Sequence, residues 1–157
     1  MAMIQATATT TAAPEDLFRH LAVPEAWGRW GRFPTPARQA RKGDTTTYGV
    51  GTVKKIWPAS EQTVAYEPYT HFGYIALRGL PVRRYRSDVH LENGGHLENG
   101  GQGTLIRWEA TFEPLIPGTG ALVGFGLRLM LKTFVKWLPA HVEDCPADCP
   151  ARRAGDI

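Results

Sequence analysis

Near the end of the chain, residues 119–138 form a window of helical length bounded by Pro117-Gly118 before it and Pro139 after it, signals for the start and stop of one long helix. Arg128, Lys132 and Lys136 recur every four residues, while Leu122, Phe125, Leu129, Met130, Phe134 and Trp137 supply a wide apolar stripe. That pattern is amphipathic. Three charges in the window make a bilayer span costly, although a basic amphipathic helix can lie at an anionic membrane surface. The apolar stripe has to be covered by another layer. The preceding segments supply one.

Residues 45–57, 62–69, 72–78 and 82–91 are dense in Val, Ile, Thr, Tyr or Trp and are separated by Pro, Gly or Ser, as strands are. A fifth run, residues 104–113, alternates cleanly. Thr104, Ile106, Trp108, Ala110 and Phe112 share one face, and Leu105, Arg107, Glu109 and Thr111 the other, so one face is buried and the other mostly wet. The same parity on residues 82–91 groups Tyr85, Ser87, Val89 and Leu91 inward and Arg84, Arg86, Asp88 and His90 outward. At the other end of the chain, residues 4–11 read as a strand that gives way to Pro14-Glu15-Asp16, a helix first turn. That helix carries Leu17, Phe18 and Leu21 and stops before Pro24, and residues 25–30 form a second short helix ending at Gly31. Residues 32–43 read as a loop or an irregular edge strand. The class is α+β, with an antiparallel sheet covered by the long helix.

Between the last two strands His90-Leu-Glu-Asn-Gly-Gly95 recurs at once as His96-Leu-Glu-Asn-Gly-Gly101. One copy makes an ordinary hairpin, because Asn-Gly tolerates the two positive φ angles of a tight turn. Two copies either lengthen the hairpin, turning at Asn93-Gly94 or Asn99-Gly100, or bulge out as a loop. His90, Glu92, His96 and Glu98 could act as metal ligands, but a local duplication in a tolerant loop tip accounts for the same text.

The remaining sequence excludes more than it assigns. A length of 157 residues suits one domain. A net charge of +3 from 18 basic and 15 acidic side chains lacks the dense basic stripe of a nucleic-acid binder. Residues 1–13 carry no basic region followed by an apolar stretch, so a cytoplasmic address is expected. Cys145 and Cys149, in CPADCP, lack the two-residue gap of zinc and redox motifs and have no second pair. They are expected as free thiols on a flexible, exposed tail, residues 143–157, with no metal and no cofactor.

The segments "ATTTAAPEDLFRHLAVPEAWGRW", "YGVGTVKKIW", "GQGTLIRWEATFEP" and "LRLMLKTFVKWLPAHVE" resemble the polyketide cyclase/dehydrase and lipid-transport group of the START-like, or Bet v 1-like, superfamily (SRPBCC). The resemblance covers residues 1–142. It implies a helix-grip fold: a curved antiparallel sheet wrapped around a long C-terminal helix, with two short helices after the first strand. It also implies a deep cavity for a small hydrophobic molecule such as a lipid or a polyketide-like aromatic. On that reading Trp30, Tyr66, Tyr74, Tyr85, Ser87, Trp108, Phe112, Phe125 and Leu129 are the candidates to line it, Tyr85 and Trp108 foremost. The glycine-rich helix start, at Gly118, Gly120, Gly124 and Gly126, marks the place where a ligand would enter.

Cyclisation or dehydration requires an acid and a base inside such a pocket. His71, beside Phe72 and Tyr74, is the candidate, in a His–Tyr pair acting on an enolisable substrate; His20 and His141 show no neighbour in sequence. No Gly-x-Ser-x-Gly elbow, phosphate loop, HExxH helix or dinucleotide fingerprint occurs. Three readings follow: a hydrophobic-ligand binding or transport protein, a cyclase or dehydratase, and a protein-interaction module with a filled core and an exposed apolar patch. Oligomeric state is left open.

Overall fold

The computed structural model describes residues 1–97 and 100–157. Strand β1 (Ala2–Thr10) leads into helices α1 (Pro14–Ala22) and α2 (Pro24–Trp30). Six strands follow: β2 (Arg38–Arg41), β3 (Val53–Ile56), β4 (Ala59–Glu67), β5 (His71–Arg78), β6 (Val82–His96) and β7 (Gln102–Pro114). Helices α3 (Gly120–Glu143) and α4 (Pro150–Arg153) close the chain. The seven strands form one antiparallel, curved open sheet in the order β1-β7-β6-β5-β4-β3-β2. The first strand therefore lies beside the last, from Ala2 opposite Phe112 to Thr10 opposite Thr104.

The alternation expected on β7 holds: Thr104, Ile106, Trp108, Ala110 and Phe112 are all buried, as are Tyr85, Ser87, Val89 and Leu91 on β6. Asp88 and His90 occupy the outer face, paired with His71 and Glu109 respectively. Residues 45–51, expected as strand, instead form a turn-rich loop in which the Asp44 amide donates to the Val50 carbonyl and Gly51 has φ +95°. That angle is one L side chains rarely adopt, so the turn calls for glycine.

Helices α1 and α2 are locked by two indoles. The last carbonyls of α1 have no partner within their own helix; Trp27 Nε1 donates to the Leu21 carbonyl at 2.8 Å and Trp30 Nε1 to that of His20 at 3.1 Å. Satisfying those groups allows both tryptophans to be fully buried.

Helix α3 departs from expectation twice. It runs through Pro139 to Glu143, although proline removes a backbone donor and usually ends a helix. Its last turn is held instead by Glu143, whose Oε1 accepts from Thr10 Oγ1 at 2.7 Å and Thr11 Oγ1 at 3.0 Å. Its buried stripe is Leu127, Leu131, Phe134, Val135, Leu138 and Val142, while Leu122, Phe125 and Leu129 are exposed. The opening turns are apolar all round, so periodicity alone names no inner face; the seat against β1 and α1 chooses one. None of the described helices is long and apolar enough to cross a membrane.

The segment after α3 is packed down rather than exposed. Cys149 and Ala151 are fully buried, and Arg19 donates from Nε to the Ala151 carbonyl and from Nη2 to that of Gly155. Arg29 adds an ion pair to Asp148 at 3.1 Å. At the duplicated loop, β6 takes in the whole first copy and ends at His96, the first residue of the second, and the Gly100 amide closes a turn onto the Leu97 carbonyl. The hairpin has lengthened. Asn99, one of the expected turn residues, lies with Glu98 outside the described residues.

Candidate ligand-binding site

On β3 the burial alternates, with Lys54 and Ile56 inward. Lysine at an inward position is rare unless paired, and here it is 4% exposed. Its Nζ lies 3.1 Å from Oε1 of Glu61, its cross-strand neighbour on β4. The same ammonium stands 3.7 Å from the Trp27 ring centroid and 4.2 Å from that of Tyr74. A desolvated cation over two aromatic faces gains from both ring quadrupoles. Burial pushes the Lys54 pKa below its ordinary value, and the Glu61 carboxylate opposes that shift only in part. A bulge between Ser60 and Glu61 in the pairing of β4 with β5 re-aims the strand at this point.

Glu61 also faces a cavity of about 190 Å³. Its walls are Trp27 and Phe33 from α2 and the following loop, Ile56, Trp57, Pro58 and Ala59 from the β3–β4 hairpin, Leu80, and Met130 and Phe134 from α3. Every wall residue except Glu61 is apolar. A larger groove of about 660 Å³ lies between β1 and the end of α3, but Thr7, Thr9, Lys132, Lys136 and Glu143 give it a polar lining without enclosure.

None of the nine residues expected to line the cavity is in its wall. Trp30, Tyr74, Tyr85, Ser87, Trp108 and Phe112 are buried behind it. Trp27 connects the two layers, with ring centroids 4.7 Å from Trp30, 5.5 Å from Tyr74 and 5.9 Å from Trp108. Ser87 is engaged within the core, accepting from Trp108 Nε1 at 2.9 Å and donating to the Glu109 carbonyl at 3.1 Å. The Tyr85 and Tyr66 hydroxyls are buried without a hydrogen bond of good geometry; burial raises both pKa values, that of Tyr66 to about 12. Tyr66 instead packs edge-on against Phe18 at 5.0 Å. Phe125, 60% exposed, borders a separate groove beside β1, and Leu129 is 49% exposed.

His71 does not meet a tyrosine. Phe72 and Tyr74 point into the core, so alternation puts His71 on the outer face. There its Nε2 lies 2.7 Å from Asp88 Oδ1, and its ring stacks on His90 at 4.4 Å. The metal set suggested by the duplication is dispersed as well, with His90 paired to Glu109 and Glu92 to Arg107, and Glu98 outside the described residues.

The sequence model of the family described as polyketide cyclase / dehydrase and lipid transport matches residues 1–143. The chain belongs to this family. Solved structures of low identity share the fold of this family member. A START superfamily protein from Mycobacterium smegmatis is 15% identical with a TM-score of 0.72, covering 92% of this chain and 99% of that one. Ara h 8.0201 is 17% identical with a TM-score of 0.70, over 91% and 98%. XoxI from Bacillus cereus is 15% identical with a TM-score of 0.69, over 92% and 97%. No curated protein matches the chain. Family and fold are consistent with hydrophobic-ligand binding. Reading the residues in order missed Lys54, Glu61 and Trp27; the signal for them was a lysine at the inward parity of an apolar strand.

Proposed function

We propose that the protein binds a small, largely apolar molecule carrying one hydroxyl or amine, with that donor directed at Glu61. The supporting observation is the wall itself, apolar throughout except for one carboxylate held in place by Lys54, the composition of a site that takes an apolar body and orients it by one polar contact. At about 190 Å³ the cavity is smaller than the roughly 300–1,000 Å³ of drug-sized ligand sites. It suits a compact ligand, and a larger one needs Trp57, which is 68% exposed, or the flexible Met130 to move aside.

Trp27 and Trp57 both border the cavity, so ligand entry is read by tryptophan emission. Native mass spectrometry of the purified protein, followed by denaturing extraction, is expected to release an apolar alcohol, phenol or amine. Glu61→Gln should weaken binding of such ligands roughly tenfold to a hundredfold, the worth of a charge-assisted hydrogen bond. The proposal fails if nothing is released and no member of a panel of phenols, sterol-like alcohols and hydroxylated polyketide aromatics changes the emission or the Tm.

A cyclase or dehydratase activity draws support from one observation, the titratable Lys54–Glu61 pair at an apolar cavity. In that case Glu61, not His71, is the base, and deuterium uptake into an enolisable ligand should stop in Glu61→Gln while His71→Ala retains it.

A further inference from the structure

We propose that His20, His141, Cys145 and Cys149 bind one zinc-class divalent ion that fastens the C-terminal segment to α1 and to the end of α3. The four ligand atoms all lie within 4.8 Å of one another. Cys145 Sγ is 3.3 Å from His20 Nε2, and Cys149 Sγ is 3.6 Å from His20 Nε2 and 3.5 Å from His141 Nε2. With zinc–sulfur bonds of about 2.3 Å and zinc–nitrogen bonds of about 2.05 Å at tetrahedral angles, the sulfur–nitrogen edge is about 3.6 Å. These three of the six edges, 3.3–3.6 Å, match that value.

The surroundings fit the same ion. His20 Nδ1 donates to the Asp16 carbonyl at 2.7 Å, which fixes the tautomer and leaves the Nε2 lone pair directed at the cysteines, the usual outer support of a metal-bound histidine. Two sulfurs and two imidazoles in tetrahedral array select zinc over calcium or magnesium, which take oxygen ligands. Two thiolates balance a divalent charge, so the site is neutral as a whole, and burial at His20 and Cys149 costs little. Four protein ligands leave no open position, so the ion is structural rather than catalytic. In sequence the three C-terminal ligands stand at even four-residue intervals, His141, Cys145 and Cys149; the fourth comes from α1.

The test uses the full reduced chain, stripped with chelator and titrated with cobalt(II) and then zinc(II). One equivalent of cobalt(II) is expected to give the ligand-field absorption of a tetrahedral site with thiolate charge-transfer bands, and zinc to displace it stoichiometrically. In the zinc-loaded protein both thiols should resist a thiol reagent and tryptic cleavage after Arg152 should slow; both protections should vanish with chelator. Cys149→Ser removes a fully buried ligand and could unfold the segment. Cys145→Ser, at a half-buried position, is the second variant and should lose the charge-transfer bands and reduce zinc content from about one per chain to near zero. Weak octahedral cobalt spectra without charge transfer, prompt reaction of both thiols in the presence of zinc, or a Cys145–Cys149 disulfide that forms despite available zinc would each overturn the assignment.

Discussion

The Lys54 ammonium and the Glu61 carboxylate meet at 3.1 Å on adjacent strands, almost sealed from solvent, with side-chain exposures of 5% and 11%. Removing one partner of such a pair strands the other in a low-dielectric site, whereas replacing both with apolar groups of similar volume is often neutral or better. Glu61→Leu alone is therefore expected to lower stability by about 3–5 kcal/mol, and the double variant Lys54→Met/Glu61→Leu to recover most of it. Urea denaturation of the two singles and the double completes the cycle; additive losses would mean that the pair is not coupled.

Ser87 and Trp108 provide a contrast. Ser87→Ala leaves the buried Trp108 N–H without an acceptor, a loss of about 1–3 kcal/mol. Because Ser87 stands behind the cavity wall rather than in it, ligand affinity measured by tryptophan emission should stay within about twofold. Met130→Trp should do the reverse. It fills the space beside Phe134 and Leu80, so binding should drop more than tenfold while the denaturation midpoint barely moves.

On the outer face, burial raises the Asp88 pKa, but hydrogen bonds from Arg86 and His71 outweigh it and hold the carboxyl below its ordinary 3.8. A folded value below the unfolded one means that the carboxylate contributes stability above about pH 3.8 that is lost as the pH falls through the folded value. Asp88→Asn should thus cost about 1–2 kcal/mol at neutral pH, and the gap to wild type should close in acid. Denaturant midpoints across that range decide it; a constant gap would mean that the cost is steric.

What could be read from the sequence divides along physical lines. Period-two alternation named the inner faces of β6 and β7 because residues 84–91 and 104–112 carry their charged side chains on one side only. The long helix was evident from the break at Pro117-Gly118 and the length of the window, but neither its end, which passes Pro139, nor its face was, since residues 120–127 offer apolar side chains in every direction. Lys54 went unread because lysine in a strand ordinarily points to water, and its inward placement rests on Glu61 across the strand pair and on the rings of Trp27 and Tyr74 across the core. The site joining His20 to Cys145 spans 125 residues, a distance at which no local spacing carries a signal.

The duplicated hexapeptide allows a last prediction. Pairing of β6 with β7 reaches the core at Leu91 opposite Ile106, and beyond Asn93 opposite Thr104 it continues only through Gly95 and His96 to the hairpin tip. Deleting residues 96–101 removes that extension together with Leu97, and leaves Gly94, already at φ +93°, with Gly95, Gln102 and Gly103 to close the turn between Asn93 and Thr104. Shortening a loop changes closure entropy by only about 0.6 kcal/mol per halving. The shortened chain should fold with the same circular dichroism spectrum and a stability within about 1 kcal/mol of the parent. A larger loss would show that the tip is engaged by the rest of the molecule, and the thermal melts of the two chains, run side by side, measure it directly.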